Sequence, residues 1–111
     1  MSTPGTLNFT HPQGSTLTKD FTITDSGGSA VNISSKTYAG QIRRRAESPK
    51  LVDFTTSVTD GANGVFQISL TAAQTAALPA EDLLYDIEQT TGATVERIIE
   101  GVITISPEVT K

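Results

Sequence analysis

The chain predicts an all-β sandwich, and three observations carry that expectation. Apolar residues recur with period 2 along nearly the whole length, the pattern of strands with one face on a core. Turn-forming clusters punctuate the alternation roughly every 10–13 residues, a spacing typical of sandwiches and small barrels. Threonine is abundant, at 18 of 111 residues, and its β-branched side chain fits the pleat of a half-buried strand. A 3.6-residue period shows only around 72–78. Six to seven strands and one short helix are therefore expected, in a single domain spanning 1–111.

The first strand is expected over 6–10, with Leu7 and Phe9 on one face, before a turn at His11-Pro12-Gln13-Gly14. The second covers 17–25, where Leu17, Lys19, Phe21 and Ile23 share a parity. Ser26-Gly27-Gly28-Ser29 reads as a loop. The apolar stretch 30–33 should pack under a sheet edge without a full ladder. A third strand spans 36–45, with Tyr38, Gly40, Ile42 and Arg44 on one parity, until Pro49 breaks it. The next strand covers 51–59, with Val52, Phe54 and Val58 on one face. Asp60-Gly61-Ala62-Asn63-Gly64 is the strongest turn signal, because Asp-Gly and Asn-Gly accept positive φ. Residues 65–70 then alternate cleanly through Phe66, Ile68 and Leu70.

The helix is expected over about 71–78, before the penultimate strand. Thr71 and Gln74 form a capping box, each side chain closing on the other's backbone N–H, and Pro79 ends the segment. Residues 83–91 resume the alternation through Leu83, Tyr85 and Ile87, with Asp86 and Glu88 facing outward. After a turn at Thr91-Gly92-Ala93, the last strand runs over 94–106. It carries apolar residues on both parities after Ile98, so it is either covered on both faces or bent by a bulge at Gly101. This succession reads as an immunoglobulin-like β-sandwich. Tyr85 follows the helical connection, as does the tyrosine of an immunoglobulin-like corner, whose hydroxyl bonds to upstream backbone. The alternative for Tyr85 is a strand aromatic with its tip in water.

Composition narrows the chemistry. With no cysteine and one histidine, His11, the chain offers no disulfide framework, thiolate metal site, cysteine nucleophile or multi-histidine centre. A net charge of −4 argues against wrapping nucleic acid. No apolar stretch approaches the roughly 20 residues a membrane helix needs. The N-terminal residues show no secretory pattern, which predicts synthesis in the cytoplasm. No cofactor or metal is expected.

Candidate catalytic residues do not assemble into a recognisable set. Asp86 and Glu88 would lie about 7 Å apart on one strand face, near the carboxylate spacing of glycosidases, but solubility charges are the better reading of these and of Glu81 and Asp82. His11, Ser15 and Asp20 show no nucleophile-elbow pattern, and His11 reads as an exposed loop histidine. Asp60-Gly61-Ala62-Asn63-Gly64 lacks the alternating acids of a calcium loop. The chain does not read as an enzyme. Arg43-Arg44-Arg45 is the one concentrated charge feature. On a strand, Arg43 and Arg45 would point to one side and Arg44 to the other. Pairing with acids of a neighbouring protein is the favoured use, ahead of phosphate binding, and the cluster would also guard an edge strand.

The second half carries a family resemblance. Gly64-x-Phe66-x-Ile68-x-Leu70-Thr71-Ala72-x-x-Thr75-Ala76-x-Leu78-Pro79 is followed by Tyr85-Asp86-Ile87-Glu88. Val95-x-Arg97-Ile98-Ile99-x-Gly101-x-Ile103-x-Ile105-Ser106-Pro107-Glu108-Val109-Thr110 closes the pattern. It resembles small phage virion proteins similar to the N-terminal immunoglobulin-like domain of phage upper baseplate proteins. The first half matches loosely, through Phe21-Thr22-Ile23, Gly27-Gly28, Val31-x-Ile33 and Gln41-Ile42-Arg43. Glu81 and Asp82 stand where that pattern has a glycine, and Leu83 where it has a first tyrosine. The motif describes turn, helix cap and core, with no catalytic residue.

The resemblance implies a virion location and a structural role in the tail, baseplate or fibre-attachment region. Its partners would be other virion proteins, with several copies in a symmetric homo-oligomer. A capsid or neck decoration protein of the same fold is the related alternative. A host-surface glycan-binding module is the second, and it predicts aromatics exposed in loops.

Overall fold

The computed structural model describes residues 5–108. In chain order these form β1 (Gly5–Thr6), β2 (Phe9–Pro12), β3 (Leu17–Thr22), β4 (Thr37–Arg43), β5 (Lys50–Asp53), β6 (Thr55–Asp60), β7 (Val65–Leu70), α1 (Ala72–Ala76), β8 (Asp82–Thr91) and β9 (Thr94–Ser106). The larger sheet runs β5-β4-β8-β9, with β1 and β2 both parallel to β9 at its far edge; the smaller runs β3-β7-β6. The chain is thus an immunoglobulin-like all-β sandwich.

Alternation in sequence becomes a core because each strand turns one of its two parities inward. Leu17, Phe66, Ile68 and Leu70 from the smaller sheet meet Tyr38, Ile42, Leu83, Tyr85, Ile87, Ile103 and Ile105 from the larger. Ile33 and Leu78, from connecting segments, close the two ends. Tyr38 and Phe66 stack with ring centroids 4.0 Å apart, a geometry that adds about 0.5–1.5 kcal/mol beyond area burial. The Tyr38 hydroxyl donates to Gln89 Oε1 at 2.8 Å, so the one glutamine on the inward parity of β8 is satisfied inside.

Several elements differ from the expectation. Residues 51–59 are two strands in different sheets, β5 and β6, because the chain crosses at Phe54. The Phe54 N–H donates to the Gly40 carbonyl at 2.9 Å, and its ring fills the space that a side chain on Gly40 would need. Val58 ends 37% exposed instead of facing the core. The first expected strand is interrupted at Leu7-Asn8, and its second part runs through His11 and Pro12, which were expected in a turn. The strand expected over 17–25 ends at Thr22, and Thr24 then makes an isolated bridge to Ala30. β4 stops at Arg43, so the alternation expected of Arg43, Arg44 and Arg45 does not occur. The helix is one turn and a little more.

The bulge in β9 also lies elsewhere. Ile87 pairs with Ile99 and Glu88 with Arg97, leaving Ile98 as the extra residue. That slip lets both Ile98 and Ile99 pack against the core, which explains apolar residues on both parities. Gly101 has a different reason: a Cβ there would sit 2.0 Å from the Leu7 carbonyl oxygen. Backbone passes too close for any side chain.

Candidate functional site

The outward face of the larger sheet collects the charged side chains. Cross-strand pairing sets Gln41 beside Asp86 and Asp86 beside Glu100. Arg97 lies across them, its Nε 3.2 Å from Asp86 Oδ2 and its Nη1 3.4 Å from Glu100 Oε1. Toward β5, the Arg43 guanidinium donates to the Ser48 carbonyl and to Gln41 Oε1. Both arginines are thereby oriented before any partner arrives. Gln41, Arg43, Leu84, Asp86, Arg97 and Val102 line an open groove of about 400 Å³ between the 44–49 loop and the Leu7-Asn8 break. Leu84, on its floor, is 39% exposed.

The arginine cluster is therefore split by its environment. Arg43 is tied to its own strand and loop. Arg44 pairs with Glu81 at 3.1 Å, both exposed, a contact worth at most a few tenths of a kcal/mol. Arg45 is exposed and forms no ion pair among the described residues. Arg97 entered the sequence reading only inside the resemblance pattern, yet it organises the groove. The signal that could have found it is the turn at Gly92: pairing Thr91 with Thr94 sets Arg97 opposite Glu88, ahead of the bulge at Ile98. At the sheet edge, the Lys50 ammonium donates to Asp53 Oδ2 at 2.7 Å, which holds the Asp53 carboxyl below its ordinary range.

The structural residues sit as their chemistry demands. Thr71 Oγ1 accepts from the Gln74 N–H at 3.1 Å, and Gln74 Oε1 accepts from the Thr71 N–H at 2.8 Å, completing the capping box. Tyr85 is buried, and its hydroxyl donates to the Leu7 carbonyl at 2.6 Å. The upstream acceptor exists, but it lies at the break between β1 and β2 rather than in the connection before β8, so Tyr85 is a cross-strand tie and no corner. Burial pushes its phenol up to about 12 and also raises that of Tyr38. Asn8 bridges the same break, with its Oδ1 accepting from the Val102 N–H at 2.9 Å. Gln13 ties the other end, donating to the Leu78 carbonyl and accepting from the Glu108 N–H. Val109 and Thr110, which close the resemblance pattern, lie outside the described residues.

His11 is half-buried on β2, not exposed in a loop. Its Nε2 lies 2.9 Å from the Ser15 carbonyl, which can only accept, so Nε2 carries a proton. Asp20 is spent on the Gln67 amide at 3.0 Å. Asp86 is held by Arg97, and Glu88 is exposed. No group of three metal-ligating side chains occurs among the described residues, and no helix among them is long and apolar enough to cross a membrane. Tyr38, Phe54, Phe66 and Tyr85 are buried, and Phe9 and Phe21 pack against the core.

No protein-family model and no curated protein matches the sequence. Among solved structures the chain is similar to InlP of Listeria monocytogenes, with a TM-score of 0.52, 18% identity and 95% of this chain covered. The chain spans 28% of the length of that protein. A likeness at this identity speaks for the fold alone, and it supports the sandwich.

Proposed function

We propose that the chain is a non-enzymatic structural protein of a bacteriophage virion, an adaptor of the tail, baseplate or fibre-attachment region. It works through protein–protein contacts. The observation that carries this reading is the outer face of the larger sheet, where exposed Leu84 lies between two oriented arginines, Arg43 and Arg97. Interface cores favour arginine and apolar side chains, and groups fixed in advance lose little entropy on binding. The virion assignment comes from the resemblance of the Gly64-to-Thr110 sequence pattern to the phage baseplate domain. A rigid core with open sheet edges suits a part repeated around a symmetry axis.

The test is to locate the chain in purified phage particles by quantitative mass spectrometry and cryo-electron microscopy. Density for the sandwich in the tail or baseplate, at few copies relative to the major capsid protein, is expected. A copy number near that of the capsid protein selects the decoration reading instead. Absence from purified virions defeats both.

A further inference from the structure

Four edges end the two sheets, and three of them are blunted. β5 has only four residues, opening on Lys50 and closing on Asp53. β1 and β2 are separated at Leu7-Asn8, and β2 ends on Pro12, which has no N–H to donate. β6 is shielded by the segment 33–40, which runs antiparallel beside it. Three bonds mark that seam: Ile33 N–H to the Gly61 carbonyl at 2.8 Å, the Thr56 hydroxyl to the Tyr38 carbonyl at 2.7 Å, and Phe54 N–H to the Gly40 carbonyl at 2.9 Å. β3 is neither short nor interrupted, and the one device on its inward face is the charge of Lys19. The strand is six residues long, lacks proline, and stays in unbroken register with β7 from Leu17 opposite Leu70 to Thr22 opposite Val65.

The hydrogen-bond phase shows what β3 offers. Ile23 N–H donates to the Gly64 carbonyl at 2.8 Å, in line with the β3–β7 register. Antiparallel bonding alternates, so Leu17, Lys19 and Phe21 turn their backbone groups toward β7. Thr18, Asp20 and Thr22 turn theirs to the open edge, where no strand pairs with them among the described residues.

We propose that this edge of β3 accepts an extended strand from another protein, with inward side chains in the order apolar, acidic, apolar. The inference rests on the reading of the chain as a module that acts through protein contacts, and it does not depend on the virion location. Leu17, Lys19 and Phe21 face the interior, with Lys19 and Phe21 half-buried. The Lys19 ammonium lies 4.9 Å from the centroid of the Phe9 ring, and Phe21 stacks on Phe66 at 5.3 Å. Residues directly opposite in a sheet share a face. An added strand would therefore set apolar groups against Leu17 and Phe21 and an acid against Lys19.

A second copy of this chain does not fit. Antiparallel self-pairing about a two-fold axis has two registers that pair most of the strand. One opposes each Lys19 to its own counterpart, and the other does so for Asp20. Like charges directly opposite are destabilising. The edge is guarded against itself and open to a strand of complementary charge.

The probes are two short synthetic peptides that alternate Thr and Val, one with a central inward Glu and the other with Lys in its place. Amide hydrogen exchange read by NMR should show Thr18, Asp20 and Thr22 gaining protection with the Glu peptide, at about fivefold tighter binding than the Lys peptide. Lys19→Glu should reverse that preference. Asp20→Pro removes an edge N–H that β7 does not use, a position where proline is tolerated. Protection in β8 and β9 should then persist while peptide binding is lost. Equal binding of both peptides, protection at another edge, none at β3, or a homodimer built on β3 would overturn the proposal. If the chain occurs in virions and β3 stays unprotected, this inference alone fails; protection at β3 with the chain missing from virions defeats the virion assignment alone.

Discussion

The Tyr85 hydroxyl donates to the Leu7 carbonyl at 2.6 Å, across 78 residues of sequence. This one bond crosses from β8 past β9 to the break between β1 and β2. It satisfies a carbonyl that the interrupted parallel ladder would otherwise leave unpaired. Tyr85→Phe keeps the ring, which packs edge-on against Phe9 and Phe54, and removes only the donor. Urea unfolding should show a loss of about 1–3 kcal/mol, and exchange should quicken selectively at residues 7–10.

The same buried phenol predicts alkaline sensitivity. The folded-state value of about 12 lies above the ordinary value of 10.0, so the fold favours the neutral form. Below pH 10 both folded and unfolded states hold the proton, and the full stabilisation is present. Between about pH 10 and 12 the unfolded state ionises first, and stability falls as pH rises, by about 2–3 kcal/mol in total. Tyr38 acts in the same direction. Thermal melts across this range should decline for the native protein and less steeply for Tyr85→Phe.

Gly101 allows the first strand to lie against β9. Gly101→Ala places a methyl group on the Leu7 carbonyl and should cost about 3 kcal/mol or more, the range of substitutions that displace backbone. A crystal structure or NMR exchange map should then show β1 detached while β3 and β7 stay paired. Full retention of the β1–β9 pairing in that variant would contradict the argument.

The capping box has a smaller effect. Thr71→Ala should lower stability by about 1 kcal/mol in chemical denaturation. Thr75→Val should cost about 1 kcal/mol, since it removes the hydrogen bond that the buried Thr75 hydroxyl donates to the Ser15 carbonyl at 2.8 Å, an acceptor that His11 Nε2 still serves.

The exposed ion pairs should matter less still. Arg44→Ala, which removes the contact to Glu81, should change unfolding free energy by less than about 0.5 kcal/mol. The residual effect should vanish in high salt, because exposed pairs are screened.

Much of this fold is legible in the sequence for a local reason. β7, β8, β9 and the Thr71–Gln74 cap depend on alternation, turn chemistry and a helix-start signal, all carried by neighbouring residues. Phe66, Ile68, Leu70, Leu83, Tyr85 and Ile87 accordingly fall on the face that their parity assigns. The candidate site was far less legible. Arg43-Arg44-Arg45 is conspicuous in sequence, but the end of β4 at Arg43 scatters it. Arg97, isolated in sequence, becomes central because the Ile98 bulge sets Glu100 opposite Asp86 and Arg97 lies across both. No local pattern announces that slip.

The threonine-rich alternation and the Asp-Gly and Asn-Gly turns determined an all-β sandwich with a modest core. Period-2 patterning decides which side chains can be buried together whatever lies opposite. Tertiary structure alone decided where the chain changes sheets at Phe54, that Tyr85 reaches Leu7, and that β3 keeps an open edge while β6 is shielded. Each of these depends on the approach of segments distant in sequence. The alternation specifies a strand's two faces, whereas its two edges are settled by which neighbours arrive.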